Sequence, residues 1–468
     1  MPTTFLGRVR IVATALLATA TPILAQGQAA DAQLRAEVDR AARKILASTG
    51  VPSASVAAVR DGRIAYVQAY GDARLEPRSP ARPDMRYAIG SISKQFTAAA
   101  VLLLVEERKL SLDDTISRFL PDPTRAGEVT VRQLLSHTSG YQDYWPQDYV
   151  PPFMLREVAA RDILDRWAKK ALDFEPGTRY QYSNTGYVLA GLIVEKVAGV
   201  PLLELLKARV FRPLSMTSVA DVDEGRLAET DPAGYLRYGL GPLRPAPKEG
   251  KGWLFAAGEL AMTAEDLARW NVSLLDRSLL APTSYAEMET EVRLKNGLGT
   301  QYGLGLGVAS RSGHRGLSHG GEVSGFTASN MIFPDDRAAV SVLTNQDAVE
   351  AASEIAVKIA PLLFASADAA EAAQRARRIF EGLRHGKIDR SQLTENANSY
   401  FTDRALRDFA AGFASLGQPL AFKQTDERDR GGMKFRSFEV KLKKRTLQVW
   451  ERDMPDGKIE QYQVLPRE

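Results

Sequence analysis

Two blocks of β-like sequence frame a long helical middle, and that spacing constrains the fold more than any single motif. The first block, VPSASVAAVRDGRIAYVQAYG (51–71), holds two β-rich runs around Asp61-Gly62, a dipeptide that tolerates the positive φ of a tight hairpin. The second comprises QYGLGLGVASR (301–311) and EVSGFTASNMIFPDDRAAVSVLTN (322–345), with Pro334-Asp335-Asp336 as the turn between two strands. Between the blocks, from about Leu110 to Arg293, the pattern is helical, broken by Pro- and aromatic-rich loops such as GYQDYWPQDYVPPF (140–153). Strands at both ends with helices inserted predict an α+β fold: an antiparallel sheet closed by the N- and C-terminal segments, flanked by helices, plus a helical subdomain.

At 468 residues the chain is long enough for more than one domain. Residues 1–25 read as a signal peptide: Arg8 and Arg10 precede the apolar run IVATALLATATPIL (11–24), and the small-residue stretch AQGQAA follows. Cleavage is expected after Ala25, with Ala29 as second choice. The run falls short of the roughly 20 apolar residues that span a bilayer, so a periplasmic or secreted protein with no stable membrane span is expected. DAQLRAEVDRAARKILAS (31–48) has helical spacing and opens a main domain over 31–365. The alanine-rich, charged stretch 366–390 reads as a helical linker. Residues 391–468 read as a C-terminal α+β accessory domain, helices first and then an antiparallel meander with a turn at Pro455-Asp456-Gly457. Its basic and aromatic run KFRSFEVKLKKRTLQVW (434–450) is expected to be a solvated sheet face.

Composition excludes several chemistries. With no cysteine there is no disulfide, thiol nucleophile or thiolate metal site. The four histidines, at 137, 314, 319 and 385, show no His-Glu-x-x-His spacing, so no metal site and no cofactor are expected. The net charge of +4 is small for this length and gives no reason to expect nucleic acid.

The pair that invites chemistry is Ser91 and Lys94, at the head of the apolar run YAIGSISKQFTAAAVLLLVEERKL (87–110). Residues at i and i+3 share a helix face, so amine and hydroxyl can meet. Unpaired amides of a first turn can also stabilise an oxyanion. Half-neutralising a lysine at pH 7 costs about 4–5 kcal/mol. A helix end supplies only about 0.3–1 kcal/mol, so burial must supply the rest.

Two later groups complete the pattern: Tyr182-Ser183-Asn184 before a helix, and His319-Gly320-Gly321 leading into a strand. In this order Ser91-x-x-Lys94, Tyr182-x-Asn184 and His319-x-Gly321 resemble the serine penicillin-recognising hydrolases of the class C β-lactamase-related family, which includes penicillin-binding proteins. The flanks LLSHTSGY, PGTRYQYSNTGY, AAGELAMTAEDLARW and HGGEVSGF look similar as well. The resemblance covers about residues 35 to 365. It implies that Ser91 is the nucleophile of an acyl-enzyme with Lys94 beside it, that Tyr182 shuttles the proton, and that Asn184 holds the substrate. It further implies an oxyanion hole from the backbone N–H of Ser91 and of Glu322, and substrate binding along His319, Gly320 and Gly321. Whether Lys94 or Tyr182 is the general base stays open, since the two titrate together.

His319 departs from the lysine that β-lactamases carry there. Near pH 7 it is largely uncharged and would grip a substrate carboxylate less firmly. His314-Arg315-Gly316 is a competing His-x-Gly, and His137 reads as a structural loop histidine. The expectation is an exported serine hydrolase of amide or ester bonds, acting on D-amino-acid peptides or small esters. The alternatives are a β-lactamase or penicillin-binding D-alanyl-D-alanine carboxypeptidase, and an inactive binding relative. The expected partners are a small-molecule or peptide substrate and a cell-wall-derived ligand.

Overall fold

A computed structural model describes residues 21–147, 149–311, 313–364, 367–443 and 445–466. The expected signal peptide lies largely outside these described residues. The chain divides between Leu363 and Phe364 into two compact units.

The first unit is built on a seven-stranded sheet. In chain order its strands are β1 (Ser53–Arg60), β2 (Arg63–Leu75), β3 (Arg78–Pro80), β4 (Gly307–Arg311), β5 (His314–Val323), β6 (Phe326–Phe333) and β7 (Ala338–Thr344). Across the sheet they run β3-β2-β1-β7-β6-β5-β4, every pairing antiparallel. The two distant sequence blocks therefore meet at β1 and β7, where Val56 faces Val342. Asp61 and Gly62 both take positive φ in the turn between β1 and β2, as both residue types tolerate. Ser53 to Val59 are buried, so both faces of β1 are covered. Helix α1 (Thr21–Thr49) begins ten residues earlier than the helical spacing at 31–48 predicts.

Helix α2 (Ser93–Glu106) is buried from Ser93 through Leu104 and packs beside α3 (Asn184–Ala198) in the helical half. Ser183 caps α3 by accepting the Gly186 N–H (3.2 Å), and Gly199 ends it at φ 72°. The middle of the chain is not wholly helical. Leu260–Met262 pairs with both Tyr87–Ala88 and Ala220–Asp221, strands too short to show a two-residue period.

The second unit carries a four-stranded meander: Ala421–Arg430, Met433–Lys441, Thr446–Asp453 and Ile459–Pro466. The stretch expected to be a linker instead forms α4 (Ala367–Arg384), whose Ala376, Ile379, Phe380 and Leu383 are buried with Phe438, Val449 and Tyr462 in this unit's own core. The run at 434–450 is not simply a solvated face either. Arg436 is buried between Glu427 and Asp453.

Candidate active site

Ser91 does not start the long helix. It sits in a separate 3-10 turn, Gly90–Ile92, and α2 begins two residues later. The three-residue spacing still carries the side chains together, with Lys94 Nζ 3.0 Å from Ser91 Oγ. Lys94 also donates to Asn184 Oδ1 (2.8 Å) and to the Ala257 carbonyl (2.7 Å). Three acceptors surround an amine with no solvent exposure. Burial pulls its pKa down to about 7, against the opposing pull of the Asp143 carboxylate. The missing energy of neutralisation thus comes from desolvation of the whole helix head.

Asn184 is the first residue of α3, and Asp143 holds it twice. The carboxylate accepts the Asn184 backbone N–H (3.0 Å) and its Nδ2 (3.1 Å). One Nδ2 hydrogen remains for a substrate. Asp143 itself is pushed up to about 6 by burial, with the Trp145 amide, the Lys94 charge and the Asn184 donors pulling the other way.

Tyr182 enters the same cluster. Its ring stacks on His137 at 4.1 Å between centroids, and Lys94 Nζ lies 5.0 Å from its centroid. Burial raises its pKa well above the ordinary phenol, and the neighbouring Ser91 hydroxyl only partly offsets that. Its hydroxyl is buried and meets no partner of hydrogen-bonding geometry. An ionised phenol is therefore not what this site holds at neutral pH. His137 has the structural role expected of it. Its Nδ1 accepts the Ser183 N–H (3.1 Å) and its carbonyl accepts the Gln181 N–H (2.9 Å), clamping the segment that carries Tyr182.

His319 lies on β5 with both ring nitrogens engaged, Nε2 with the Tyr302 hydroxyl (2.8 Å) and Nδ1 with the Gly320 carbonyl (2.6 Å). The carbonyl can only accept, so Nδ1 carries the proton and Nε2 receives the Tyr302 O–H. Burial, reinforced by the Lys94 charge, lowers the His319 pKa to about 4. The imidazole is neutral, which strengthens the expectation of a weak grip on carboxylates. The competing His314 points elsewhere and faces Asp336.

Strand β5 meets the Ser91 turn closely. A Cβ on Gly321 would fall 1.8 Å from the Ile89 carbonyl oxygen and 3.3 Å from the Ser91 nitrogen. A Cβ on Gly90, at φ +51°, would fall 2.6 Å from the Glu322 nitrogen. These two glycines therefore let the Ser91 turn and the strand at Glu322 approach each other closely. At Gly320 a Cβ would meet only the Ala328 carbonyl at an ordinary 3.8 Å. Its side of the strand is open, and no close approach demands glycine.

Sequence reasoning missed Asp143, Tyr302 and Glu259. Glu259 is buried and accepts the Ala256 N–H (2.7 Å), shaping the bend that offers Ala257's carbonyl to Lys94. All three stood inside quoted stretches, but no spacing tied them to the motif residues.

A sequence profile described as Beta-lactamase matches residues 38–362. The chain belongs to the Beta-lactamase family. Among curated relatives of this family member, penicillin-binding protein 4* of Bacillus subtilis (strain 168) is 28% identical over 310 residues, covering 63% of this chain and 68% of the relative. A D-aminopeptidase of Brucella anthropi is 29% identical over 316 residues, covering 66% of this chain. The match spans only 58% of that relative's length. Among solved structures, a D-stereospecific amidohydrolase from Streptomyces sp. superposes with a TM-score of 0.60 at 28% identity, over 68% of this chain and 96% of that one. The octameric penicillin-binding protein homologue from Pyrococcus abyssi superposes with a TM-score of 0.63 over 92% of this chain and 96% of that one. At 23% identity that likeness concerns the fold. Family and relatives together make this Beta-lactamase-family chain a serine hydrolase.

Proposed function

We propose that this chain is an exported serine hydrolase that cleaves amide bonds next to D-configured residues through an acyl-enzyme on Ser91. The observation that carries the reading is the buried Lys94, neutralised near pH 7 and 3.0 Å from Ser91 Oγ. Neutral Lys94 takes the hydroxyl proton as Ser91 Oγ bonds to the substrate carbonyl carbon. The oxygen that gains charge is received by the N–H groups of Ser91 and Glu322. When the C–N bond breaks, the amine leaves with a proton passed from Lys94 through the neutral Tyr182 hydroxyl. Lys94, neutral again, takes a proton from a water that attacks the Ser91 ester, and passes it to Ser91 Oγ as the acyl C–O bond breaks and the carboxylic acid leaves. Lys94 is the base in this scheme because Tyr182 has its pKa raised, not lowered.

Support for D-amino-acid amides comes from the relatives named D-aminopeptidase and D-stereospecific amidohydrolase. The neutral, fully engaged His319 offers no cation to a penicillin carboxylate. Export is supported by the N-terminal run at 11–24, and N-terminal sequencing of the mature protein from a fractionated host tests it.

The decisive experiment compares wild type and Ser91→Ala on p-nitroanilides of D- and L-amino acids, p-nitrophenyl esters and a chromogenic cephalosporin. Wild type should prefer D-anilides, and the variant should lose turnover on every substrate together with labelling by a serine-reactive phosphonate. Turnover unchanged in Ser91→Ala would sink the assignment, and rapid cephalosporin hydrolysis by wild type would replace it with a β-lactamase.

A further inference from the structure

Asp143 stands behind the proposed base. Its carboxylate takes both Asn184 donors, the backbone N–H and Nδ2. That leaves Asn184 Oδ1 turned toward Lys94 Nζ at 2.8 Å. A flipped amide would set its NH2 against the lysine and its oxygen against the carboxylate, two repulsions in place of two hydrogen bonds. The carboxylate therefore fixes the amide, and the amide fixes the amine.

The charges around Lys94 point the same way. His137, in the turn after Leu135, and His319, on β5, are both kept neutral by burial, with the lysine charge adding to it. Tyr182 and Tyr187 present ring faces at 5.0 and 5.3 Å, and burial keeps both phenols protonated. Among the described residues Asp143 is the one acidic group whose charge acts on Lys94. Its other contact, with the Trp145 N–H at 3.3 Å, lies within its own loop.

We propose that Asp143 is a positioning residue which, by locking the Asn184 amide, sets the orientation of Lys94 and the pH at which Ser91 becomes acylated. The proposal rests on the reading of Ser91 and Lys94 given above. Its sign is definite. A nearby negative charge favours the ammonium, so removing it extends the neutral amine to lower pH. The acid limb of the rate profile should then move down even as the plateau falls from lost positioning. A residue that merely supported the fold would lower the plateau and leave the limb in place.

The test is the pH dependence of kcat/KM for p-nitrophenyl acetate, an uncharged probe, in wild type, Asp143→Asn and Asp143→Glu, each checked by thermal melting. The wild-type limb is expected at about pH 7. D143N should shift it down by about one pH unit, with a plateau lowered about tenfold. D143E, which keeps the charge, should hold the limb near the wild-type value. An unmoved limb in D143N overturns the proposal whatever the plateau does. If D143N and Asp143→Ser both lose their melting transition, the residue belongs to the fold and the proposal falls too. Peptide mass analysis of the acylated wild type separates the two levels. Acetyl on Ser91 with an unmoved limb removes only Asp143's role, whereas no acetyl on Ser91 takes the proposed function down with it.

Discussion

At the scale of single residues the site is governed by one desolvated amine. Lys94 titrates at about 7 in the fold and near 10.4 when exposed. Between those values the unfolded chain holds a proton that the folded one lacks, so this group's contribution to stability rises with pH across the window. Below pH 7 both forms are protonated and its penalty is greatest. Lys94→Met should therefore abolish turnover yet raise the unfolding free energy by about 1–2 kcal/mol near pH 7, with the gain shrinking as pH is raised to 9. A variant that is less stable at pH 7, or equally stabilised at both values, contradicts this account. The sequence made part of the site legible. Ser91 and Lys94 were marked by spacing, Tyr182 and Asn184 by the family resemblance, and the structure brings all four together. Asp143 was invisible because its partners lie 41 residues away across a loop rich in aromatic residues and proline. Tyr302 was invisible for a similar reason: its hydroxyl meets His319 only after β4 and β5 have formed.

Among the elements, the telling contact is the strand β5 lying against the Gly90–Ile92 turn. Gly321→Ala would place a methyl 1.8 Å from the Ile89 carbonyl oxygen, so strand and turn must part. On the proposed role of the Ser91 and Glu322 amides, kcat should fall by about 10²–10³ with little change in KM. The antiparallel register, in which His319 faces Asn330, should survive. Circular dichroism and steady-state kinetics on D-amino-acid anilides check both halves of that expectation; an unaltered kcat would remove Glu322 from the oxyanion hole. Periodicity located α2 but misplaced its start, because Gly90 at positive φ opens a short turn that hydrophobic spacing does not register. It also passed over the strands Tyr87–Ala88 and Leu260–Met262, which are fixed by tertiary pairing and not by any local pattern.

For the whole molecule, the hairpins at Asp61-Gly62, Pro334-Asp335-Asp336 and Pro455-Asp456-Gly457 were legible because turn chemistry is local. The linker was misread. Its alanine and charge content masked the spacing of Ala376, Ile379, Phe380 and Leu383, which line one face of a core helix. Because the core described for this unit is built from its own residues, from Ala373 to Val464, a fragment of residues 364–468 is predicted to melt as a cooperative unit, with a calorimetric enthalpy of about 60–80 kcal/mol. A broad, non-cooperative melt would show that it needs the rest of the chain. The pairing of β1 with β7 sets an order of events during synthesis. Strands joined across so long a stretch of chain close late, after the ribosome has made nearly all of the first unit. A nascent polypeptide halted before Gly321 has neither β7 to pair with β1 nor β6 beside it, and so lacks the closed sheet against which the Ser91 turn packs.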